Sequence, residues 1–244
     1  DGIDIIDDSS EIIQTAESMP QKSIPTISRV SPDSYSDCWI ARVSLTGRGF
    51  ENVASVSLTK TGSQPISADY LNVLDTSNLD CHLPVTGKGV SQKPWGAGET
   101  WNVVITNKDG QSQTVANGFS IKPGDLIFDN SNNDTVSNNP DIRPQFKIDA
   151  LKTKIRTIET YHWNEGRGSP PGTISLKHSD GTTYGPWNAL AVSQGEVPNA
   201  YWRVNPDTDI KMGTYSIIDS NPETWSHNTG SNNAGFALVR GCRC

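Results

Sequence analysis

No run of eighteen consecutive apolar residues occurs anywhere in the chain, so the sequence predicts neither a membrane-spanning helix nor a signal-peptide core. No two Lys or Arg residues are adjacent, and the formal net charge is -7, which argues against a phosphate-tracking surface and a nucleic-acid partner. The four cysteines show no CxxC spacing, and the nearby histidines complete no zinc pattern. Nucleophile-elbow, HExxH and phosphate-loop motifs are missing too, so no enzyme and no resident cofactor are expected. Apolar residues make up only 34% of the chain, and few of them recur at helical spacing.

What the chain does have is turn chemistry. Its 21 Gly and 15 Pro separate short apolar-alternating runs, a composition that favours many short strands over long helices. With 244 residues there is room for two ordinary domains. The first residue is Asp1 rather than Met, which reads as the start of a processed chain. Cysteines without metal spacing fit a disulfide-forming, extracellular or cell-surface setting. The sequon Asn133-Asp134-Thr135 makes Asn133 a candidate glycosylation acceptor in a predicted surface loop.

Residues 1–23 form an acidic arm with too little apolar surface to fold alone. Ile3 and Ile5 alternate with Gly2 and Asp4 and lead to Ile6, which suits a short strand, and Asp8 with Glu11 would open a brief helix after it. From Ile24 about seven short apolar runs follow in roughly a hundred residues, the strand number of an immunoglobulin-like sandwich. The clearest is the hairpin from Thr100 to Ile121. Trp101, Val103 and Ile105 share one face, Asn107 to Gly110 turns, and Val115, Phe119 and Ile121 return.

Several elements of this stretch are similar to an IPT/TIG domain: Pro25-Thr26-Ile27 with Val30-Ser31-Pro32, Leu45-Thr46-Gly47-Arg48-Gly49-Phe50, Cys81-His82-Leu83-Pro84, and Trp101 to Asn107 ending at Asn117-Gly118-Phe119. The resemblance covers residues 24–123. It implies an immunoglobulin-like fold of a kind found in surface receptors, in bacterial and archaeal surface proteins, in carbohydrate-active enzymes as a spacer, and in some transcription factors. The DNA-contacting subset has basic loops, and this acidic chain departs from it.

Pro123-Gly124-Asp125 marks a boundary. Residues 124–244 repeat the pattern of strand candidates and turns, at Phe146 and Ile148, Thr173 to Leu176, Tyr201 to Val204, Gly213 to Ile218 and Gly235 to Val239. The predicted fold class is therefore all-β: two tandem β-sandwiches, the first IPT/TIG-like and the second jelly-roll-like, behind a short N-terminal arm.

Four tryptophans of the second unit, Trp163, Trp187, Trp202 and Trp225, joined by Tyr161, Tyr184, Tyr201 and Tyr215, are candidates for a sugar-stacking platform, since sugars lie on aromatic faces while amides and carboxylates take their hydroxyls. The competing reading is that they fill the core. His162, close to Glu159 and Glu165, raises acid-base chemistry, although strand alternation sends His162 to the face opposite Tyr161 and Trp163. Asp129, Asp134 and the neighbouring asparagines offer oxygens of the kind Ca²⁺ takes, but without EF-hand spacing. Asp219 to Ser226 reads either as a ligand loop or as a turn held by its own side chains.

Cys38 and Cys81 are placed to meet across the first sandwich, where a bridge would contribute about 4 kcal/mol. Cys242 and Cys244 lie two apart and would bond only with strain, leaving Cys38, Cys81 or a neighbouring subunit as alternatives. At least one intermolecular bond is the expectation. Together with the Ile3, Ile5 and Ile6 strand, this predicts an extracellular subunit that assembles with copies of itself into a filament, sheath or layer by strand addition. The alternative is a carbohydrate-binding or adhesion module recognising cell-surface glycans.

Overall fold

The computed structural model describes residues 24–89 and 98–243. The arm with Ile3, Ile5 and Ile6, and also Cys244, lie outside the described residues. The described residues form strands and short 3-10 turns, with no α-helix among them. The chain is all-β and folds as two tandem β-sandwiches.

The first unit contains β1 (Thr26–Ser31), β2 (Ser34–Ser36), β3 (Ala41–Arg48), β4 (Val53–Thr59), β5 (Ile66–Ser67), β6 (Tyr70–Val73), β7 (Asn78–Leu83), β8 (Glu99–Asn107) and β9 (Ser112–Lys122). One sheet runs β1-β3-β7-β6 and the facing sheet β2-β9-β8-β4-β5. Period-two alternation points Val43, Leu45, Leu79 and Leu83 inward from the first, and Leu58, Val103, Ile105 and Ile121 inward from the second, into one apolar core. The predicted hairpin is β8-β9, with Trp101 opposite Phe119 and Val103 opposite Val115. Gly110 sits at φ 85°, the positive value its turn requires. Gly47 has a different reason: a Cβ there would stand 1.7 Å from the Thr26 carbonyl oxygen, so only glycine lets β1 and β3 approach.

The second unit contains β10 (Asp125–Asp129), β11 (Ser137–Asn138), β12 (Gln145–Tyr161), β13 (Thr173–His178), β14 (Thr183–Asn188), β15 (Leu190–Gln194), β16 (Val197–Val204), β17 (Thr208–Asp219), β18 (Ser226–His227) and β19 (Ala237–Arg243). Its main sheet is ordered β10-β19-β12-β17-β13-β14, with β16 pairing to β12 and β15 to β16. The 17-residue β12 organises it. Residues up to Ile155 pair with β17, and from Ile158 the same edge pairs with β16, so one strand serves both layers. Phe146, Leu176 and Ile217 from one end meet Ile158, Trp202 and Val239 from the other in a shared core.

A disulfide from Cys38 to Cys242 joins the units across 204 residues, with Cα atoms 5.4 Å apart. This corrects the expected Cys38–Cys81 bridge. Cys81 lies on the inward face of β7 beside Leu79 and Leu83 and is a free, fully buried thiol whose pKa burial pushes up to about 12. Cys38 follows β2, at the end facing β19. Cys38 and Cys242 are therefore closed within the chain, and neither serves the expected intermolecular bond. Arg156 braces the same joint, its Nε 3.4 Å from the Cys242 sulfur and its guanidinium paired with Asp207.

Candidate functional site

Where β12 runs out, alternation separates two sets of side chains. Thr160 and His162 point inward and are fully buried, while Tyr161 and the following Trp163 remain partly exposed. Opposite Tyr161 in the ladder stands Tyr201 of β16. Their ring centroids are 4.7 Å apart, and Tyr161 also lies 6.5 Å from Trp163 and 6.3 Å from Phe236. The result is an aromatic cluster centred on Tyr161, of which Tyr161 and Trp163 are the partly exposed members. The Tyr161 hydroxyl donates to Oε1 of Gln194 at 2.7 Å, and burial raises the phenol's pKa despite that bond, so it stays a neutral donor.

Residues Ser131 to Val136 form the facing wall and close a cleft of about 520 Å³. This wall is built from polar side chains that hold one another. Asn132 and Asn228 exchange amide hydrogen bonds at 3.0 and 2.7 Å, and Asn130 both accepts from the Ala237 amide and donates to the Gly235 carbonyl. Asn133 is exposed on this wall, so the sequon borders the cleft.

Beneath the aromatic cluster lies a closed polar network. The His162 ring stacks on Trp202 with centroids 3.9 Å apart. Its Nδ1 is 2.9 Å from Thr224 Oγ1, its Nε2 is 3.1 Å from Asp219 Oδ2, and Thr160 Oγ1 donates to the same carboxylate oxygen at 2.8 Å. The backbone amide of Trp163 donates to Ser226 Oγ, which ties the cleft to the strand behind it.

The four candidate tryptophans separate. Trp163 lines the cleft. Trp202 and Trp225 are core residues, 0% and 2% exposed, whose indole nitrogens donate to the Ser169 and Phe236 carbonyls. Trp187 lies opposite Ile174 and packs against the second core. The platform expected from Trp187, Trp202 and Trp225 does not form, because each falls on the inward side of its strand or turn.

The acid-base grouping does not assemble either. Glu159 is buried against Arg203, with Nε to Oε1 at 2.8 Å, and Glu165 is exposed and paired with Arg167. Asp134 is the one carboxylate lining the cleft among the described residues. Two of the oxygens considered for Ca²⁺ are hydrogen-bonded within their own loop. Asp129 Oδ1 accepts from the amide and hydroxyl of Ser131, and Asn132 Oδ1 accepts from the Asp134 amide. Asp219 to Ser226 likewise turns on itself, with the Asn221 amide bonded to Asp219 and a 3-10 turn at Pro222–Thr224.

No family model matches the sequence, and no curated protein matches it. Solved structures do align with it. A crystal structure of the CD domains of another protein is 12% identical, covers 90% of this chain and 99% of its own, and gives a TM-score of 0.26. A chain crystallised with a xylogluco-oligosaccharide is 12% identical over 90% of this chain and 58% of its own, with a TM-score of 0.26. A third, described for the promiscuous specificity of carbohydrate-binding modules of the β-sandwich superfamily, is 10% identical over 91% and 98%, with a TM-score of 0.23. At such low scores none of the three carries a functional argument.

Of the aromatic set named from the sequence, Tyr161, Trp163 and Tyr201 meet at this cleft, while Gln194 and the wall from Ser131 to Val136 were missed as their neighbours. What sequence alternation does not supply is the register of β12 against β16 that sets Tyr201 opposite Tyr161.

Proposed function

We propose that the protein is a non-catalytic, glycan-binding or adhesion module of an extracellular surface, with its second unit gripping sugar in the Tyr161 cleft and its first unit, of IPT/TIG type, acting as a spacer. One observation carries this reading. Tyr161 and Trp163 line a cleft of about 520 Å³ together with a wall of amide, hydroxyl and carboxylate groups. A sugar ring needs both partners at once, an apolar face for its C–H groups and directional polar groups for its hydroxyls. The network under Trp163 supports the reading further, because a site pre-ordered before binding loses less entropy on capture.

A glycan array followed by calorimetry tests it. Trp163→Ala should cost about 2 kcal/mol, roughly 30-fold in Kd. Trp187→Ala, away from the cleft, should leave affinity unchanged. Absence of any bound neutral glycan, or unaltered affinity in Trp163→Ala, would remove the proposal. Self-assembly, the other expectation, keeps only its sequence argument, since Cys38 and Cys242 bond to each other and the strand residues Ile3, Ile5 and Ile6 lie outside the described residues.

A further inference from the structure

A second groove lies on the outer face of β12, β17 and β13. Gln145 pairs with Ser216, and Ser216 with Lys177, so the three form one row across three strands. The row spans two strand spacings, roughly 10 Å. Their neighbours Phe146, Tyr215 and His178 point the other way into the protein and are buried. Arg143, two residues before Gln145, joins the row at its β12 end. Two depressions of about 640 and 600 Å³ both have Arg143, Gln145 and Ser216 in their linings, so they adjoin along this row and are together called the groove.

The charges in this groove are unusual for the unit. Lys147, Lys152, Lys154, Arg156, Arg167, Arg203 and Lys211 all hold carboxylates, and Arg240 bonds the Gly124 carbonyl. Among the described residues of the second unit, Arg143, Lys177 and the terminal Arg243 make no such bond, and the first two share the groove. Its carboxylates are mostly occupied. Asp219 is taken by Thr160 and His162, and Asp180 by Lys211 and His178, which leaves Asp141 at the far rim.

We propose that this groove binds a carboxylated polysaccharide, a chain of uronic acids, separately from the aromatic cleft. Arg143 offers a planar fork that matches a carboxylate through two hydrogen bonds, and Lys177 supplies a point charge across the row. Gln145 and Ser216 between them bond the sugar hydroxyls. A chain of net charge -7 repels polyanions at long range, so binding depends on these local cations and weakens as salt rises.

Polygalacturonate, dextran sulfate and a neutral xyloglucan oligosaccharide, titrated at low and at physiological salt, test the proposal. Polygalacturonate should bind at low salt, and Arg143→Ala and Lys177→Ala should each weaken it roughly tenfold. Trp163→Ala should not change it. Arg143→Lys should fail to restore the arginine-level affinity. Both cations are solvent-facing, so circular dichroism should show folded variants. No binding of polygalacturonate at low salt, or equal binding by the Arg143→Ala/Lys177→Ala double variant, overturns the groove. Equal affinity for dextran sulfate together with full function of Arg143→Lys overturns the carboxylate assignment. Loss through Trp163→Ala alone would return the ligand to the cleft and remove the groove, while loss of neutral-glycan binding alone would count only against the cleft.

Discussion

The two sandwiches differ most in what they bury. Among the described residues, the first unit buries Asp37 and Asn107 as its polar side chains, whereas the second buries a series from Thr153 through Glu159, His162, Arg203 and Asp219 to Ser231. An apolar core needs only volume and alternation, and tolerates exchange of one aliphatic for another. A buried polar network needs every member in place, because an unpaired charge or donor in a low dielectric is costly. The contrast is one of packing: the first core is held by apolar volume, the second also by paired polar side chains.

The joint between them should give the largest effect. Replacing Cys38 and Cys242 with alanine opens a loop of 204 residues and should lower stability by roughly 5 kcal/mol in the chain-entropy account. Denaturant unfolding should then separate into two transitions, one for each sandwich. A single transition at an unchanged midpoint would mean that the units do not depend on their staple.

Next comes the polar core itself. Glu159 and Arg203 form a pair with side chains 1% and 3% exposed, so Arg203→Met leaves a buried carboxylate without its cation and should cost about 4 kcal/mol. Adding Glu159→Leu should return most of that loss, because apolar pairs of similar volume replace buried ion pairs well. If the double variant regains stability but loses glycan affinity, the pair serves to position the site; if the single variant is as stable as the parent, the contrast between the two cores fails. Leu79→Ala in the first core, at 0% exposure, should cost about 3 kcal/mol and leave affinity unchanged.

This difference also explains what was legible in the sequence. The β8-β9 hairpin could be read because Trp101, Val103 and Ile105 alternate over an apolar core and Gly110 closes the turn, all local information. The opposition of His162 to Tyr161 and Trp163 was readable for the same reason. Trp202 and Trp225 were not, since which face is inward depends on strands elsewhere. The Cys38–Cys242 bond, the Asn132–Asn228 pair and the row from Gln145 to Lys177 each join residues far apart in sequence. Strand alternation fixes that a side chain changes face at every step. It does not fix the register that brings three strands into one row.

The smallest effect belongs to Asp37, the one buried carboxylate of the first sandwich among the described residues, and it shows how the joint is tuned. Burial raises its pKa, while the Gly89 amide, the Arg156 charge and the Gly124 amide pull the other way without cancelling the rise. A carboxyl with a raised folded pKa holds its proton more tightly in the native state than in the unfolded chain. Its contribution therefore favours folding at low pH and declines as pH climbs from the unfolded value near 3.9 to the folded one. Asp75, Asp180 and Asp209 are shifted downward and have the opposite sign, adding stability above the unfolded value and losing it as pH falls through their folded values. Total stability thus masks the Asp37 effect, and a difference measurement isolates it. Asp37→Asn keeps an oxygen for the Gly89 amide and removes the titration. Relative to this variant, the parent should lose stability steadily from about pH 4 upward, read as the difference in denaturant midpoints, until Asp37 is ionised in both states. A difference that grows in the parent's favour with pH would mean that Arg156 controls the carboxylate, making the joint an ion pair across the two units rather than a buried acid.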